Sequence, residues 1–313
     1  MTEEPAVENI SANKRIKQIA WVILAIALTF LLGIGSGYLW WGQDETAEAR
    51  QGKELAQLYE QINPKDGYNL PISYGDLGPR LLESGAISYE AFAAIYENSS
   101  NPLSAEQTKI LQKGSDQEIV INAENAHFLL NFFWAVGLAN KNSILTDGLM
   151  IQNSGGQVER FASTGGWTLA TKTITELYAS MDLIPLAAEQ QALVEEVAAA
   201  IYRPCCNNHT LFPDCNHGMA MLGVLELMAS QGAGADEMFE AAKYINAYWF
   251  PQQTLETALY LKSNEEIDFA DADARLIVGD RFSSASGFGM VHENLQAQGL
   301  LKQAPDQGGS CAN

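Results

Sequence analysis

The chain has 313 residues, of which 47% are hydrophobic and 18% are charged, proportions that fit a folded body and exclude a wholly disordered chain. Its formal net charge is -20, and the excess lies on residues 42–313, because the charges of residues 1–18 cancel and residues 19–41 carry none. A body this acidic is repelled by phosphate backbones, so we exclude nucleic acid as a partner and keep metal ions and cationic partners.

The first predicted element is a transmembrane helix over residues 19–41, an uncharged segment. At about 1.5 Å per residue it covers about 34 Å, which is enough to cross a hydrocarbon core of roughly 30 Å. Basic residues precede the segment and acidic residues follow it: Lys14, Arg15, Lys17, Asp44, Glu45 and Glu48. This asymmetry predicts a single-pass protein of the plasma or inner membrane, with a cytoplasmic N-terminus and the remaining chain outside the cytoplasm.

Two further features of this segment bear on its role. Ala47-Glu48-Ala49 resembles the cleavage site of a signal peptide, but the apolar core of a signal peptide is usually about 7–15 residues, so we favour an uncleaved anchor. Gly33 and Gly37 are spaced to allow two anchors to dimerise, although glycine is also common in such helices.

Cap and turn signals beyond the anchor predict a string of helices, and no period-two strand pattern is sustained. The predicted fold class is therefore all-α, with one N-terminal transmembrane helix followed by a multi-helix globular extracytoplasmic domain. We expect a cytoplasmic tail (1–18), the transmembrane helix (19–41), a stalk helix and linker (42–75), the helical extracytoplasmic domain (76–303) and a flexible C-terminal tail (304–313). Helices are predicted at 46–61, 81–83, 89–96, from Ser104, and at 123–140, 167–178, 187–202, 216–230, 236–250 and 253–262.

Two of these segments carry specific expectations. Residues 63–75 contain two prolines and two glycines and are predicted to form a loop. The helix at 123–140 is apolar nearly all round, which is typical of a helix at the centre of a core.

A dense cluster of sulfur and imidazole groups is the chemical signature of the chain. Three of its four cysteines and two of its four histidines fall between residues 205 and 217. Thiolates and imidazoles are ligands that suit zinc or copper(I), and nearby thioethers favour copper(I). We therefore predict a metal or redox site formed by Cys205, Cys206, His209, Cys215 and His217. Additional ligands could be Met219, Met221, Asp214 and Cys311.

The position of Cys215 and the compartment leave two interpretations of the cysteines open. Cys215 precedes a predicted helix, whose N-terminus would stabilise a thiolate and lower the pKa. A disulfide between Cys205 and Cys206 would be strained and would act as a switch. The other interpretation is a structural disulfide between Cys206 and Cys215, because extracytoplasmic cysteines are usually paired. In that case the body would be a helical scaffold or interaction domain.

The segment from Arg203 to Tyr248 contains an adjacent cysteine pair on a loop, a helix, a glycine turn with Asp236 and Glu237, and a second helix ending near aromatic residues. It resembles the cysteine loop and helical hairpin of the cytochrome c maturation thiol-oxidoreductases, and it is similar to membrane-anchored bacterial proteins with a Pro-Cys loop. The cysteines of that family are spaced CxxC, whereas here they are adjacent. The resemblance implies thiol or metal handling, with a metal ion or a thiol-containing protein as the partner.

Overall fold

The computed structural model describes residues 8–99 and 101–301, and it confirms the all-α fold class. Within those residues a single two-stranded sheet accompanies the helices. The elements in chain order are α1 (Glu8–Ile62), β1 (Tyr68–Gly75), α2 (Leu77–Ser84), α3 (Tyr89–Asn98), α4 (Ala105–Lys113), β2 (Ser115–Ile121), α5 (Ala126–Ala139), α6 (Ser143–Thr146), α7 (Leu149–Ser154), α8 (Ala162–Gly165), α9 (Ile174–Leu177), α10 (Ala188–Ala198), α11 (Asn216–Ser230), α12 (Ala235–Trp249), α13 (Pro251–Tyr260), α14 (Ala274–Val278), α15 (Asp280–Ser283) and α16 (Ala285–Ala297).

The chain divides into two compact units, residues 1–57 and 58–313. The first unit contains an N-terminal apolar helical stretch, Lys17–Ile34, that is long and apolar enough to cross a membrane. Its large apolar side chains are exposed, with Trp21 at 72%. Residues 1–7 and the predicted tail at 304–313 lie outside the described residues.

The small sheet corrects the prediction of a loop at residues 63–75. β1 pairs antiparallel with β2, and Leu70 lies opposite Ile119. Leu70, Ile72 and Tyr74 are buried while the intervening side chains are more exposed, so the strand does alternate with period two. Pro71, which is exposed, interrupts the sequence pattern at a position where an edge strand tolerates proline.

The predicted helix at 167–178 is also wrong in most of its length. Only Ile174–Leu177 is helical, and the preceding segment bonds instead to the turn between α2 and α3. There Leu169 accepts a hydrogen bond from the Ser88 amide, and the Thr171 amide donates to Gly85. These backbone partners replace the ones that a helix would have supplied.

Other predicted helices are present in the structure, one of them with a different end. α11 has the predicted bounds, and α4 begins at a capping box formed by Ser104 and Gln107. α10 ends at Ala198, earlier than the predicted residue 202, because Ile201 and Tyr202 form backbone hydrogen bonds with Thr210 and Val278.

The core of the second unit is built on the contact between α5 and α11. Their backbones approach so closely that a Cβ at Gly137 would overlap the carbonyl of Met219, and one at Gly223 would lie 2.6 Å from the carbonyl of Phe133. α5 is buried along nearly its whole length, which confirms the predicted central core helix. This close packing fixes the axis of α11, and therefore the position of the residues at its N-terminus.

One carboxyl group is enclosed in this core. Glu226, on α11, is fully buried, and its Oε1 accepts a hydrogen bond of 2.6 Å from Asn142. Its Oε2 has no hydrogen-bond partner among the described residues. Burial raises the pKa of Glu226 to about 8, so the folded protein holds this proton at neutral pH.

We expect Glu226 to make the folded state less stable as the pH rises from about 5 to about 8. The unfolded chain releases this proton near its ordinary pKa of 4.5, whereas the folded chain retains it to about 8. Urea titrations of the full chain in detergent should show that Glu226→Gln removes this loss, so its stability relative to wild type rises by a few kcal/mol across the interval. Parallel stability curves for the two proteins would contradict the assignment.

Candidate metal centre

The predicted cysteine cluster lies on the loop that joins α10 to α11. Cys215 is the N-cap residue of α11, and its Sγ accepts a hydrogen bond of 3.5 Å from the amide of Gly218. This confirms the prediction that Cys215 lies at a helix N-terminus, where the helix dipole favours a thiolate.

Three donor side chains from this segment converge. One ligand atom each from Cys205, Cys215 and His217 lie within 4.8 Å of one another, and we call these three residues the donor group. The Sγ atoms of Cys205 and Cys215 are 3.6 Å apart. All three side chains are partly buried.

A second set, Cys206, Asp214 and Cys215, also lies within 4.8 Å, but its carboxylate is already engaged. Oδ1 of Asp214 accepts from Arg203 at 2.9 Å, and Oδ2 accepts from Asn208 at 2.8 Å. Asp214 therefore positions the loop. The thiol of Cys206 lies 3.8 Å from the carbonyl oxygen of Asn208. Cys206 is therefore a neighbour of the donor group and not one of its members.

The guanidinium of Arg203 holds this loop together. It is 1% exposed, and its Nε donates to the Cys215 sulfur at 3.0 Å. Nη1 donates to the carbonyl of Asn208, and Nη2 donates to Asp214 and to the carbonyl of Phe212. A buried cation beside a sulfur atom stabilises the thiolate that a metal ligand must supply.

The imidazole of His217 is held by aromatic neighbours. Its ring centroid lies 4.5 Å from that of Phe250 and 5.7 Å from that of Trp249. Its Nδ1 is buried and has no hydrogen-bond partner among the described residues. Nδ1 of His209 is likewise buried without a partner, so what distinguishes His217 is that one of its ring nitrogens also lies within 4.8 Å of two thiols, as a metal ligand would.

The remaining predicted ligands are not brought into the donor group. His209 packs edge-on against Tyr202, with ring centroids 5.7 Å apart, and belongs to neither set of converging donors. Met219 and Met221 are 0% and 1% exposed within the hydrophobic core. Cys311 lies outside the described residues.

The described cysteines are free thiols, and no disulfide joins Cys205, Cys206 or Cys215 in the structure. Hydrogen bonds from Cys205 and Cys206, together with the charge of Arg203, hold the pKa of Cys215 well below its usual range. Hydrogen bonds with Cys206 and Cys215, together with burial, raise the pKa of Cys205. The pKa of Cys206 is also raised, because its bond to Cys215 and its burial outweigh the opposing bond from Cys205. Cys215 is therefore the cysteine of the cluster whose thiolate form is most favoured.

No protein-family model, curated protein or solved structure matches this chain. The function must therefore be inferred from the geometry of the site.

Sequence reasoning did not assign a role to Arg203, Asn208 or Phe250, which position the donors. Arg203 had a usable signal, because a cation directly before a Pro-Cys-Cys sequence is unusual in a chain with 18 basic and 38 acidic residues. Phe250 lies 33 positions after His217 and no local pattern links the two.

We expect the three thiols to differ in the pH at which they react. In the reduced, metal-free full chain, the alkylation rate of Cys215 should reach half its maximum at a lower pH than those of Cys205 and Cys206, because only the pKa of Cys215 is lowered. Mass spectrometry of peptides alkylated between about pH 5 and 10 measures each midpoint, and the shape of each profile is independent of accessibility. A midpoint for Cys215 equal to or above that of Cys206 would contradict the assignment.

Proposed function

We propose that this protein binds a soft metal ion, zinc or copper(I), through Cys205, Cys215 and His217. The observation that carries the proposal is the convergence of two thiols and one imidazole within 4.8 Å. Thiolate and imidazole are preferred ligands of both ions.

The sulfur separation supports one ion bound by both cysteines. With a metal–sulfur distance of about 2.3 Å, two sulfurs 3.6 Å apart subtend an angle of roughly 100° at the ion, close to tetrahedral. Nδ1 of His217 is not engaged by another hydrogen bond, and the positive charge of Arg203 beside Cys215 stabilises the thiolate that such a site needs.

The number of donors favours metal handling over a purely structural site. A structural zinc site is usually closed by four protein ligands, whereas the donor group supplies three and leaves a position for water or for a ligand from a partner. A thiol-containing protein that delivers or receives the ion is the partner we propose, in keeping with the resemblance of this loop to thiol-oxidoreductases.

The apolar helix gives the proposed setting of this site. We assign residues 19–41 as a membrane anchor with a cytoplasmic N-terminus, so that the metal centre lies outside the cytoplasm. The length and hydropathy of Lys17–Ile34 and the basic residues before it support this assignment.

Metal binding should depend on the three residues of the donor group and not on His209. Titrating the reduced full chain in detergent with zinc, against a chromophoric chelator, should give equimolar binding to wild type. Cys215→Ser and His217→Asn should each weaken the affinity by about a hundredfold or more, because loss of a supporting residue alone costs 10- to 100-fold.

The matched control is His209→Asn, which removes an imidazole of the same loop that lies outside the donor group. It should bind zinc as wild type does. Equal losses for His217→Asn and His209→Asn, or no measurable zinc binding by wild type, would contradict the proposed function.

The anchor is tested separately. We expect the full chain to remain in the membrane fraction after alkaline carbonate extraction, and a variant lacking residues 1–44 to appear in the soluble fraction, because only the first contains the apolar helix. Extraction of the full chain by carbonate would rule out a transmembrane anchor.

A further inference from the structure

We infer that oxidation of Cys205 and Cys215 to a disulfide releases the metal ion, so that a low-molecular-weight disulfide controls the occupancy of the site. The inference rests on the proposed function, because it concerns the same donor group. Its basis is the placement of the three thiols relative to one another.

The donor sulfurs are already in contact. A disulfide bond is about 2.05 Å long, so the sulfurs of Cys205 and Cys215, 3.6 Å apart, need to approach by about 1.5 Å. Cys215 is fixed by its bonds from Arg203 and Gly218, so the movement falls to Cys205 on the loop. Oxidation would thus convert two of the three donors at once and leave His217 alone, which cannot hold the ion.

Cys206 is held differently, and we expect it to remain reduced. Its amide donates to the carbonyl of Arg203 at 3.3 Å, and its carbonyl accepts from the amide of Ala285 at 2.8 Å. Its thiol contacts the carbonyl of Asn208. The Cys206 thiol also lies within 4.8 Å of Cys215, but these contacts restrain Cys206, so Cys205, whose sulfur is 3.6 Å from that of Cys215, is the expected partner.

The reaction is a thiol–disulfide exchange. One donor thiolate attacks a sulfur of glutathione disulfide, which breaks its S–S bond and expels one glutathione thiolate. The other donor thiolate then attacks the mixed disulfide, forms the Cys205–Cys215 bond and expels the second glutathione. The two cysteines lose two electrons in total, the glutathione disulfide gains them, and each expelled thiolate takes up a proton.

The test uses the zinc-loaded full chain in detergent, in a Cys311→Ser background so that the fourth cysteine does not contribute. Glutathione disulfide is added, released zinc is read with a chromophoric chelator, and digestion before Asp214 separates Cys215 from the other two cysteines for disulfide mapping. We expect equimolar zinc release together with a disulfide between Cys215 and Cys205. A dithiol reductant should then restore zinc binding.

Variants separate the two candidate partners of Cys215. Cys206→Ser should still form the linkage and release zinc, whereas Cys205→Ser should fail to form it. A linkage that requires Cys206, or zinc that stays bound after the disulfide has formed, would overturn the inference and leave the proposed function standing. Failure of the reduced chain to bind zinc at the outset would contradict both.

Discussion

The arrangement of the metal centre depends on one buried guanidinium. Arg203 donates to the Cys215 sulfur, to the carboxylate of Asp214 and to two loop carbonyls, and thus closes residues 203–215 into a single bonded unit. Burying a cation is costly unless it is paired and hydrogen-bonded, and here the loop supplies the carboxylate of Asp214 and three further acceptors. A Cβ at residue 218 would overlap this guanidinium, so the glycine there is required by the same contact. One interaction therefore sets both the loop shape and the charge beside the thiolate.

The loop leads into α11, and the position of α11 is fixed by its contact with α5. The glycine contacts between α5 and α11 bring two backbones into direct contact, and such an interface does not slide without steric overlap. α12 ends at Trp249. The rings of Trp249 and of Phe250, the next residue, pack against the imidazole of His217. Cys205 and Cys215 lie on the loop, and His217 lies at the start of α11. Arg203, the contact between α5 and α11, and the aromatic residues at the end of α12 together hold these donors in place, as a precise ligand set requires.

The sequence predicted those elements that are determined by residues close together in the chain. The apolar character of α5, the capping box of Ser104 and the thiol cluster before α11 are all readable within a few residues. The strand at Tyr68–Gly75 and the irregular segment before Ile174 were missed because their backbone partners are distant in sequence. The same distinction applies to the site: Cys205, Cys215 and His217 were predicted, but spacing alone could not show that His209 and Met219 lie outside the donor group.

X-ray absorption spectroscopy of the full chain, reconstituted with zinc under reducing conditions, tests the central claim most directly. The account predicts a mixed first shell with two sulfurs at about 2.3 Å and an imidazole nitrogen at about 2.0 Å, together with the multiple scattering of a histidine ring. A shell composed only of oxygen or nitrogen donors would contradict it, because Cys205 and Cys215 would then not be ligands.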